Sequence, residues 1–193
     1  MKRILVFALV AMMLCSCGAY KKNPVCQGIE KKAMEQYEGK KYSFRFQDFA
    51  LVDSVMLRSE VENRIKTFTI KIERNKILYN RYIRTGYTVN ADIKKQTLLN
   101  DSVILIKLGE LQKELDEAGQ LDKVAYYIYK FTAIAKVEEK TLKMVDCYAS
   151  ATPENEVLTL APDFKSVQKG TGKVIPHYTE IVKTIATEDE EEE

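Results

Sequence analysis

Two successive segments of helical periodicity, between Ser59 and Gly119, constrain the fold of this chain most strongly. Ser59 and Glu62 have the spacing of a capping box, and Gly86 offers a left-handed stop. Phe68, Ile70 and Ile72 also alternate as in a strand, but the longer stripe and its end signals predict a helix over residues 59–84. The apolar positions of this stripe recur in steps of three and four: Val61, Ile65, Phe68, Ile72, Tyr79 and Tyr82.

The second segment predicts a helix over residues 91–118, with Asn90 as its cap and Gly119 as its stop. The apolar spacing continues through Ile104, Leu108, Leu111, Leu115 and Ala118. Because only a short connection separates the two helices, we expect an antiparallel hairpin in which each helix is about 40 Å long.

After Gly119 the apolar period changes to two, which is typical of β-strands. Strands are predicted over residues 124–137, 141–151 and 157–161, with turn residues Pro153 and Asn155 before the last strand. Strands joined by short turns predict an antiparallel arrangement. The expected fold class is therefore α+β, a long antiparallel helical hairpin followed by a three-stranded antiparallel β-meander.

Residues 42–186 are expected to form a single domain, with a division into two domains as the alternative. The domain begins with the alternating segment from Tyr42 to Phe46. Residues 17–41 are polar, with lysine pairs and two glycines, and are predicted to be a tether with at most a short helical stretch. Residues 187–193 are almost entirely acidic, and such a run predicts a disordered tail.

The N-terminus carries the pattern of an export signal. Lys2 and Arg3 precede an apolar run of about 11 residues, too short for a membrane-spanning helix of about 20 residues. The sequence Leu14-Cys15-Ser16-Cys17 then resembles the lipobox of bacterial lipoprotein precursors, although Cys15 stands where a small residue is more common. The resemblance covers about the first 20 residues and implies removal of residues 1–16 and acylation of Cys17.

The same resemblance implies a location. Gly18 follows Cys17, with neither the Asp linked to inner-membrane retention nor an acidic cluster of the kind linked to surface export. We therefore expect a lipid anchor in the outer membrane, with the chain facing the periplasm. Loss of Lys2 and Arg3 reduces the formal charge from +2 to about zero, and nothing in the composition indicates binding to nucleic acid.

Two further cysteines, Cys26 and Cys147, would remain in a compartment where disulfides persist. One interpretation is a bridge between them. The other is that Cys147 is a small buried residue of a strand and Cys26 is a free thiol of the tether. Neither the two cysteines nor His177 has the spacing of a metal site.

The sequence shows no catalytic constellation. His177 is the single histidine, and nothing in the sequence brings a serine or aspartate to it. The segment from Gly170 to Lys173 resembles part of a phosphate-binding loop, but the full spacing is missing and Val174 stands where a hydroxyl should hold magnesium. We therefore predict no enzymatic activity and no cofactor.

Both faces of the strand over residues 124–137 carry apolar side chains. Tyr126 shares one face with Ile128, whereas Tyr127, Tyr129 and Phe131 lie on the other. One face is expected to pack on the helices. The other is covered by the C-terminal segment, or it forms a binding surface in which these four aromatic residues take part.

Two functions follow as hypotheses. The first is a non-enzymatic envelope lipoprotein that acts as a structural module or binds another envelope protein; it predicts a helix face with surplus exposed Leu or Ile. The alternative is a periplasmic module that binds a small molecule or lipid with its tyrosine-rich sheet, and it requires an apolar cavity of several hundred Å³. An envelope hydrolase would need a cluster of convergent polar residues that the sequence does not show.

Overall fold

The computed structural model describes residues 20–170 and 172–187. The predicted signal segment, Cys17 and the acidic residues 188–193 lie outside these ranges. The described chain is a mixture of helix and antiparallel sheet, so the α+β class is confirmed. Its helices are α1 (Pro24–Met34), α2 (Leu57–Thr85), α3 (Thr88–Glu117), α4 (Phe164–Gln168) and α5 (Tyr178–Thr187). Its strands are β1 (Tyr42–Met56), β2 (Val124–Val137), β3 (Lys140–Ala151) and β4 (Val157–Ala161).

The sheet has four strands in the order β1-β2-β3-β4, rather than the three predicted. β3 and β4 pair antiparallel, with Tyr148 opposite Ala161. The prediction missed most of β1 because its buried residues, Phe46, Phe49 and Val55, are three and six positions apart and do not alternate.

Residue contacts divide the described chain into two compact units, whereas the sequence predicted one domain over residues 42–186. The first unit contains residues 20–52 and 128–167, and the second contains residues 53–127 and 168–187. The chain passes between the units three times, within β1, within β2 and at the end of α4. Each unit has its own buried residues.

The core of the first unit includes α1, so part of the predicted tether is structural. Val25, Cys26 and Ile29 of α1 are buried with Phe131 in one cluster. The helix begins at Pro24, and the side chain of Asn23 accepts hydrogen bonds from the backbone N–H groups of Val25 and Cys26. An asparagine cap followed by proline is a strong signal for the start of a helix. The prediction gave it too little weight because the lysine pairs made the segment resemble a polar tether.

Gly28 allows α1 to lie close to β4. A Cβ atom at this position would come 2.7 Å from Cγ2 of Val157, closer than real contacts allow. Lys32 of the same helix also donates a hydrogen bond to the carbonyl oxygen of Val157. The glycine that suggested a flexible tether is therefore a packing residue.

The backbone of β3 is irregular at Asp146, next to apolar side chains that pack on the same core cluster as α1. Asp146 has a φ of +51°, its N–H donates to the hydroxyl of Thr132, and its carboxylate pairs with Lys130. Met144 and Cys147 are three residues apart, yet both pack on the same core cluster. The left-handed backbone of Asp146 therefore coincides with a break in the two-residue alternation of this strand.

The second unit contains the hairpin of α2 and α3, and the predicted helix limits match it roughly. The stop at Gly86 is confirmed, since Gly86 has a φ of +74° and follows the last residue of α2. The predicted capping box is wrong: α2 begins two residues before Ser59, and the N–H groups of Leu57 and Arg58 donate to the carbonyl oxygens of Lys123 and Leu121.

The start of α3 also differs from the prediction. The helix begins at Thr88, after Tyr87, so Asn90 lies inside the first turn and does not cap it. The end agrees with the prediction, because Gly119 has a φ of +63° directly after the cap residue Ala118.

A buried polar group joins the two helices of the hairpin. Asp101 of α3 is buried, and its carboxylate accepts hydrogen bonds from the Nζ of Lys71 and the side-chain amide of Asn75. Phe68, Ile104 and Leu108 form an apolar cluster in the same unit, with Tyr178 and Ile181 packed against it. None of the helices in the described part of the chain is long and apolar enough to span a membrane.

Candidate functional site

A row of exposed apolar side chains on α3 is the strongest candidate for an interaction site. Leu99, Val103 and Ile106 are 54%, 42% and 62% exposed. Their spacing of four and three residues places them within an arc of about 60° on one side of the helix. We call these three residues the α3 outer face.

The α3 outer face is separate from the face that α3 buries in the hairpin. The buried side chains of Ile104, Leu108, Leu111 and Leu115 lie about 140° away around the helix. A helix on a protein surface normally has one apolar face and one polar face. α3 instead has a second apolar face in contact with solvent, and contiguous apolar patches of this kind mark interaction sites.

The outer side of α2 carries fewer exposed apolar residues. Ile70 and Ile77 are both exposed and are seven positions apart, which places them on one side of the helix. This side is nearly opposite the one that buries Phe68 and Ile72. Two isolated residues at this spacing form a smaller patch than the α3 outer face.

A buried carboxylate organises a polar cluster in the second unit. The side chain of Glu60 is 0% exposed, and the guanidinium of Arg64 lies 3.3 Å from its Oε1. The N–H of Gly172 donates to the same oxygen at 2.9 Å, and the hydroxyl of Tyr126 lies 3.4 Å from Oε2. Arg64 also donates to the carbonyl oxygen of Lys169 and lies against the ring of Tyr178.

This cluster explains the glycine-rich segment that resembled a phosphate loop. The N–H of Gly172 is directed at a carboxylate, which is itself an anion, so it is not available to a phosphate. Gly170 has a φ of +63°, and a Cβ atom there would overlap the carboxylate of Glu60. Gly170 therefore lets the backbone approach Glu60, whereas a Cβ atom at Gly172 would overlap the ring of Tyr178. We assign the segment a structural role.

The predicted aromatic surface does not form one exposed face. Tyr126 and Phe131 are buried, and Tyr127 and Tyr129 are half-buried. The hydroxyl of Tyr126 lies 3.0 Å from the carbonyl oxygen of Gln168, and burial is the largest cause that raises the pKa of this phenol. Phe131 lies in the core of the first unit, where Tyr129 stacks on Phe49 at 4.9 Å. The physical reason is that the buried face of β2 changes along the strand.

Neither Cys26 nor Cys147 forms a disulfide in the structure. Cys26 belongs to the core cluster of the first unit, and Cys147 packs against the same cluster. Cys26 is buried on α1 and is therefore not part of an open tether. Burial raises the pKa of its thiol to about 12. Burial also raises the pKa of the Cys147 thiol, with a smaller contribution from the carboxylate of Asp146. The bridge between the two residues stays a prediction.

His177 lies at the start of α5, where its Nδ1 is 2.9 Å from a carboxylate oxygen of Glu180. Both side chains are exposed. Within residues 20–170 and 172–187, no three metal-binding side chains come together.

No signal in the sequence distinguishes the buried acids Glu60 and Asp101 from the exposed acids on the same helices, so they were not predicted.

The first unit has a partly open hollow of about 270 Å³ beside α1 and β1, lined by residues that include Tyr20, Gln27, Glu30 and Phe44. Burial raises the pKa of Glu30 there, and Lys21 opposes this shift. A wider and more open hollow of about 470 Å³ has both charged and apolar side chains in its lining, among them Glu30, Lys31, Met34 and Tyr37. None of the four predicted aromatic residues lines either hollow.

Comparison of the chain with protein-family models, curated proteins and solved structures gave no match. Function is therefore inferred from the side chains themselves. The α3 outer face is exposed and apolar, whereas the Glu60 cluster is closed and internally paired. Of the two, only the α3 outer face is open to another molecule.

Proposed function

We propose that this protein is a non-enzymatic lipoprotein of the cell envelope, and that its α3 outer face binds another envelope protein. The observation that carries this proposal is the exposure of Leu99, Val103 and Ile106 on one side of α3. Full burial of a Leu, Val or Ile side chain contributes roughly 1.5–3 kcal/mol. Three such residues on successive turns are sufficient to anchor a helix or a groove of a partner.

The same observation favours a protein partner over a small ligand. Ligand pockets are typically concave, apolar and about 300–1,000 Å³ in volume. The hollow beside α1 falls below this range, and the wider one, although within it, is shallow and open to solvent, with the charged residues Lys31 and Glu35 in its lining. A convex helix face is suited to a protein surface instead.

The lipid anchor is part of the proposal and rests on the Leu14–Cys17 pattern. Acylation of Cys17 would hold the chain at a membrane leaflet, which we propose is that of the outer membrane on the periplasmic side. Confinement to a leaflet raises the effective concentration of the chain relative to other anchored proteins. A modest apolar face is then sufficient for association.

Site-specific crosslinking in living cells tests the α3 outer face. A photoreactive residue at position 103 is compared with the same residue at Val145, which is exposed on β3 of the first unit. We expect one envelope protein to be captured reproducibly from position 103 and not from position 145. Capture of the same proteins from both positions, or of none from position 103, would contradict the proposal.

Substitution then tests whether the captured protein uses this face. Leu99→Ser with Ile106→Ser removes two exposed apolar side chains, and we expect loss of capture from position 103. Ile70→Ser with Ile77→Ser makes a matched change on the outer side of α2 and is expected to leave capture unchanged. Equal loss in both double variants would show that the contact is not specific to α3.

Metabolic labelling with an alkyne fatty acid tests the anchor separately. The wild-type chain is expected to carry the label and to lose residues 1–16, whereas Cys17→Ala carries no label. Cys26→Ala is the matched control, because it removes a cysteine outside the lipobox. Label retained in Cys17→Ala would refute acylation at this residue.

A further inference from the structure

The end of the hairpin combines positive charge with exposed apolar side chains. Residues 74–95 contain six basic residues and one acidic residue, a net charge of +5, and no Asp or Glu occurs between Glu73 and Asp92. The whole chain has a formal charge of +2, so the remaining residues together carry −3. We call residues 74–95 the hairpin tip.

The exposed apolar residues of the hairpin tip are large. Five of them are 54–69% exposed: Ile77, Ile83, Tyr87, Val89 and Ile93. After Asn75, α2 buries no further side chain up to its end at Thr85, which is about 15 Å of helix. The packing of the hairpin therefore does not account for these residues.

We infer that the hairpin tip docks on the surface of an anionic lipid bilayer. Lys and Arg side chains near such a surface are attracted by its negative potential, while Ile, Val and Tyr enter the boundary between headgroups and acyl chains. The tip supplies both the basic and the apolar side chains, with Arg84 and Arg81 three and six positions before Tyr87. An acidic protein would satisfy the charges, but five exposed apolar side chains among the charges fit a lipid interface better.

This inference is independent of the proposed protein interaction, because it uses different residues. The hairpin tip ends at Lys95, and the α3 outer face begins at Leu99. Tip variants are expected to retain crosslinking from position 103. Variants of the α3 outer face are expected to retain lipid binding.

Vesicle binding tests the inference with the chain of residues 17–193 carrying Cys17→Ser, which contains every described residue but has no lipid anchor. The chain contains no tryptophan, so Tyr87→Trp introduces a single fluorescent reporter at the tip. Vesicles of phosphatidylcholine alone are compared with vesicles in which about 30% of the lipid is phosphatidylglycerol, whose headgroups make the surface negative.

We expect the emission of Tyr87→Trp to shift to the blue with anionic vesicles only, and the shift to be lost at high salt, which screens surface charge. Val145→Trp, a reporter on β3, is expected to show no shift. Arg81→Gln with Arg84→Gln should weaken vesicle binding roughly 10- to 30-fold. Lys143→Gln with Lys165→Gln makes the same change in net charge on exposed residues elsewhere and should leave binding unchanged.

The absence of a blue shift with anionic vesicles at low salt would overturn the inference. An equal shift for the reporters at positions 87 and 145, or equal weakening by the two glutamine pairs, would overturn it as well. Because Arg81 and Arg84 are exposed, their replacement is expected to leave the fold intact. Cosedimentation of the chain with native Tyr87 provides a second measurement of the same partition.

Discussion

Glu60 is the residue on which the polar organisation of the second unit depends. Its carboxylate is fully buried, and its partners come from α2, from β2 and from the segment after α4. A buried charge is tolerated only where opposite charge and hydrogen bonds compensate for lost hydration. Arg64 supplies the charge, and the N–H of Gly172 supplies the shortest hydrogen bond.

We predict that Glu60→Ala lowers the free energy of unfolding by about 3–5 kcal/mol, because it removes the buried negative charge beside Arg64 and the acceptor of the Gly172 N–H. Denaturant unfolding measures the change, and hydrogen exchange at Gly172 should become faster. Glu60→Gln keeps an acceptor and should cost less. Glu62→Ala, at an exposed position of the same helix, should change stability by less than about 0.5 kcal/mol. A small effect of Glu60→Ala would contradict the role of this cluster.

The two free thiols make a prediction about reactivity and pH. The raised pKa of Cys26, about 12, keeps its thiol protonated in the folded chain. At pH 8 we expect iodoacetamide to alkylate Cys147, which is partly exposed, well before Cys26, and to alkylate both equally in the denatured chain. If the two residues are bridged, neither reacts and the intact mass is lower by two hydrogens.

The raised pKa of Cys26 also makes the stability of the chain depend on pH. Above about pH 9, the ordinary pKa of a thiol, Cys26 ionises in the unfolded chain but stays protonated in the folded chain. Its contribution to stability is therefore complete below about pH 9 and falls as the pH rises towards 12. Cys26→Ala should reduce this alkaline loss in denaturant midpoints, and an unchanged pH profile would contradict the assignment.

At the scale of the elements, two glycines of the hairpin should respond in opposite directions to the same substitution. Gly86→Ala places a Cβ atom in a left-handed conformation with a φ of +74°, which costs about 1–2 kcal/mol. Gly109 lies inside α3 with no atom within 4 Å of an added Cβ, so Gly109→Ala should stabilise the chain by about 0.8–1 kcal/mol. Thermal unfolding compares the two variants, and a shift of both in the same direction would argue against the assigned end of α2.

Local signals predicted some elements and not others. The ends at Gly86 and Gly119 were predictable because a glycine with positive φ terminates a helix without help from distant residues. The start of α2 was not, because its first N–H groups bond to the carbonyl oxygens of Leu121 and Lys123, more than 60 positions away. The irregular burial of β1 could not be predicted from its sequence either, because tertiary packing and not alternation decides which of its residues are buried.

The candidate site was predictable in type but not in position. A helix face with surplus exposed Leu or Ile was expected, and α3 has one at Leu99, Val103 and Ile106. Periodicity alone does not distinguish that face from the one built on Ile104 and Leu108, because both repeat in steps of three and four. Only burial separates the two. Burial also could not be read from the sequence for Tyr126 and Phe131. Their aromatic character predicted a binding surface, but both side chains are buried and take no part in one.

At the scale of the whole molecule, the N-terminal segment decides how much of the chain is structural. A tether over residues 17–41 would leave the folded chain unaffected if it were shortened. The structure instead places Val25, Cys26, Ile29 and Met34 of α1 in the buried clusters of the first unit. A lipid attached at Cys17 would then be separated from a folded helix by only six residues, since α1 begins at Pro24.

Deletion of residues 18–34 from the chain 17–193 should therefore destabilise the first unit. Burial of one Val, Ile or Met side chain contributes roughly 1.5–3 kcal/mol, so removal of α1 should cost at least 5 kcal/mol or so, a large part of the stability of a small domain. Hydrogen exchange should show loss of protection in β3 and β4, which belong wholly to the first unit, while α2 and α3 retain theirs.

Deletion of residues 18 and 19 is the matched control, because it shortens the chain but keeps Tyr20, which packs on Phe46 and Phe49, and leaves Asn23 and α1 complete. We expect protection in β3 and β4 to change little in this variant. If both deletions leave protection in β3 and β4 unchanged, the segment before Tyr42 is a tether after all and α1 does not stabilise the sheet. If the longer deletion removes protection from α2 and α3 to the same extent, the two units unfold as one. The pattern across the two variants thus separates the stability of α1 from the independence of the units.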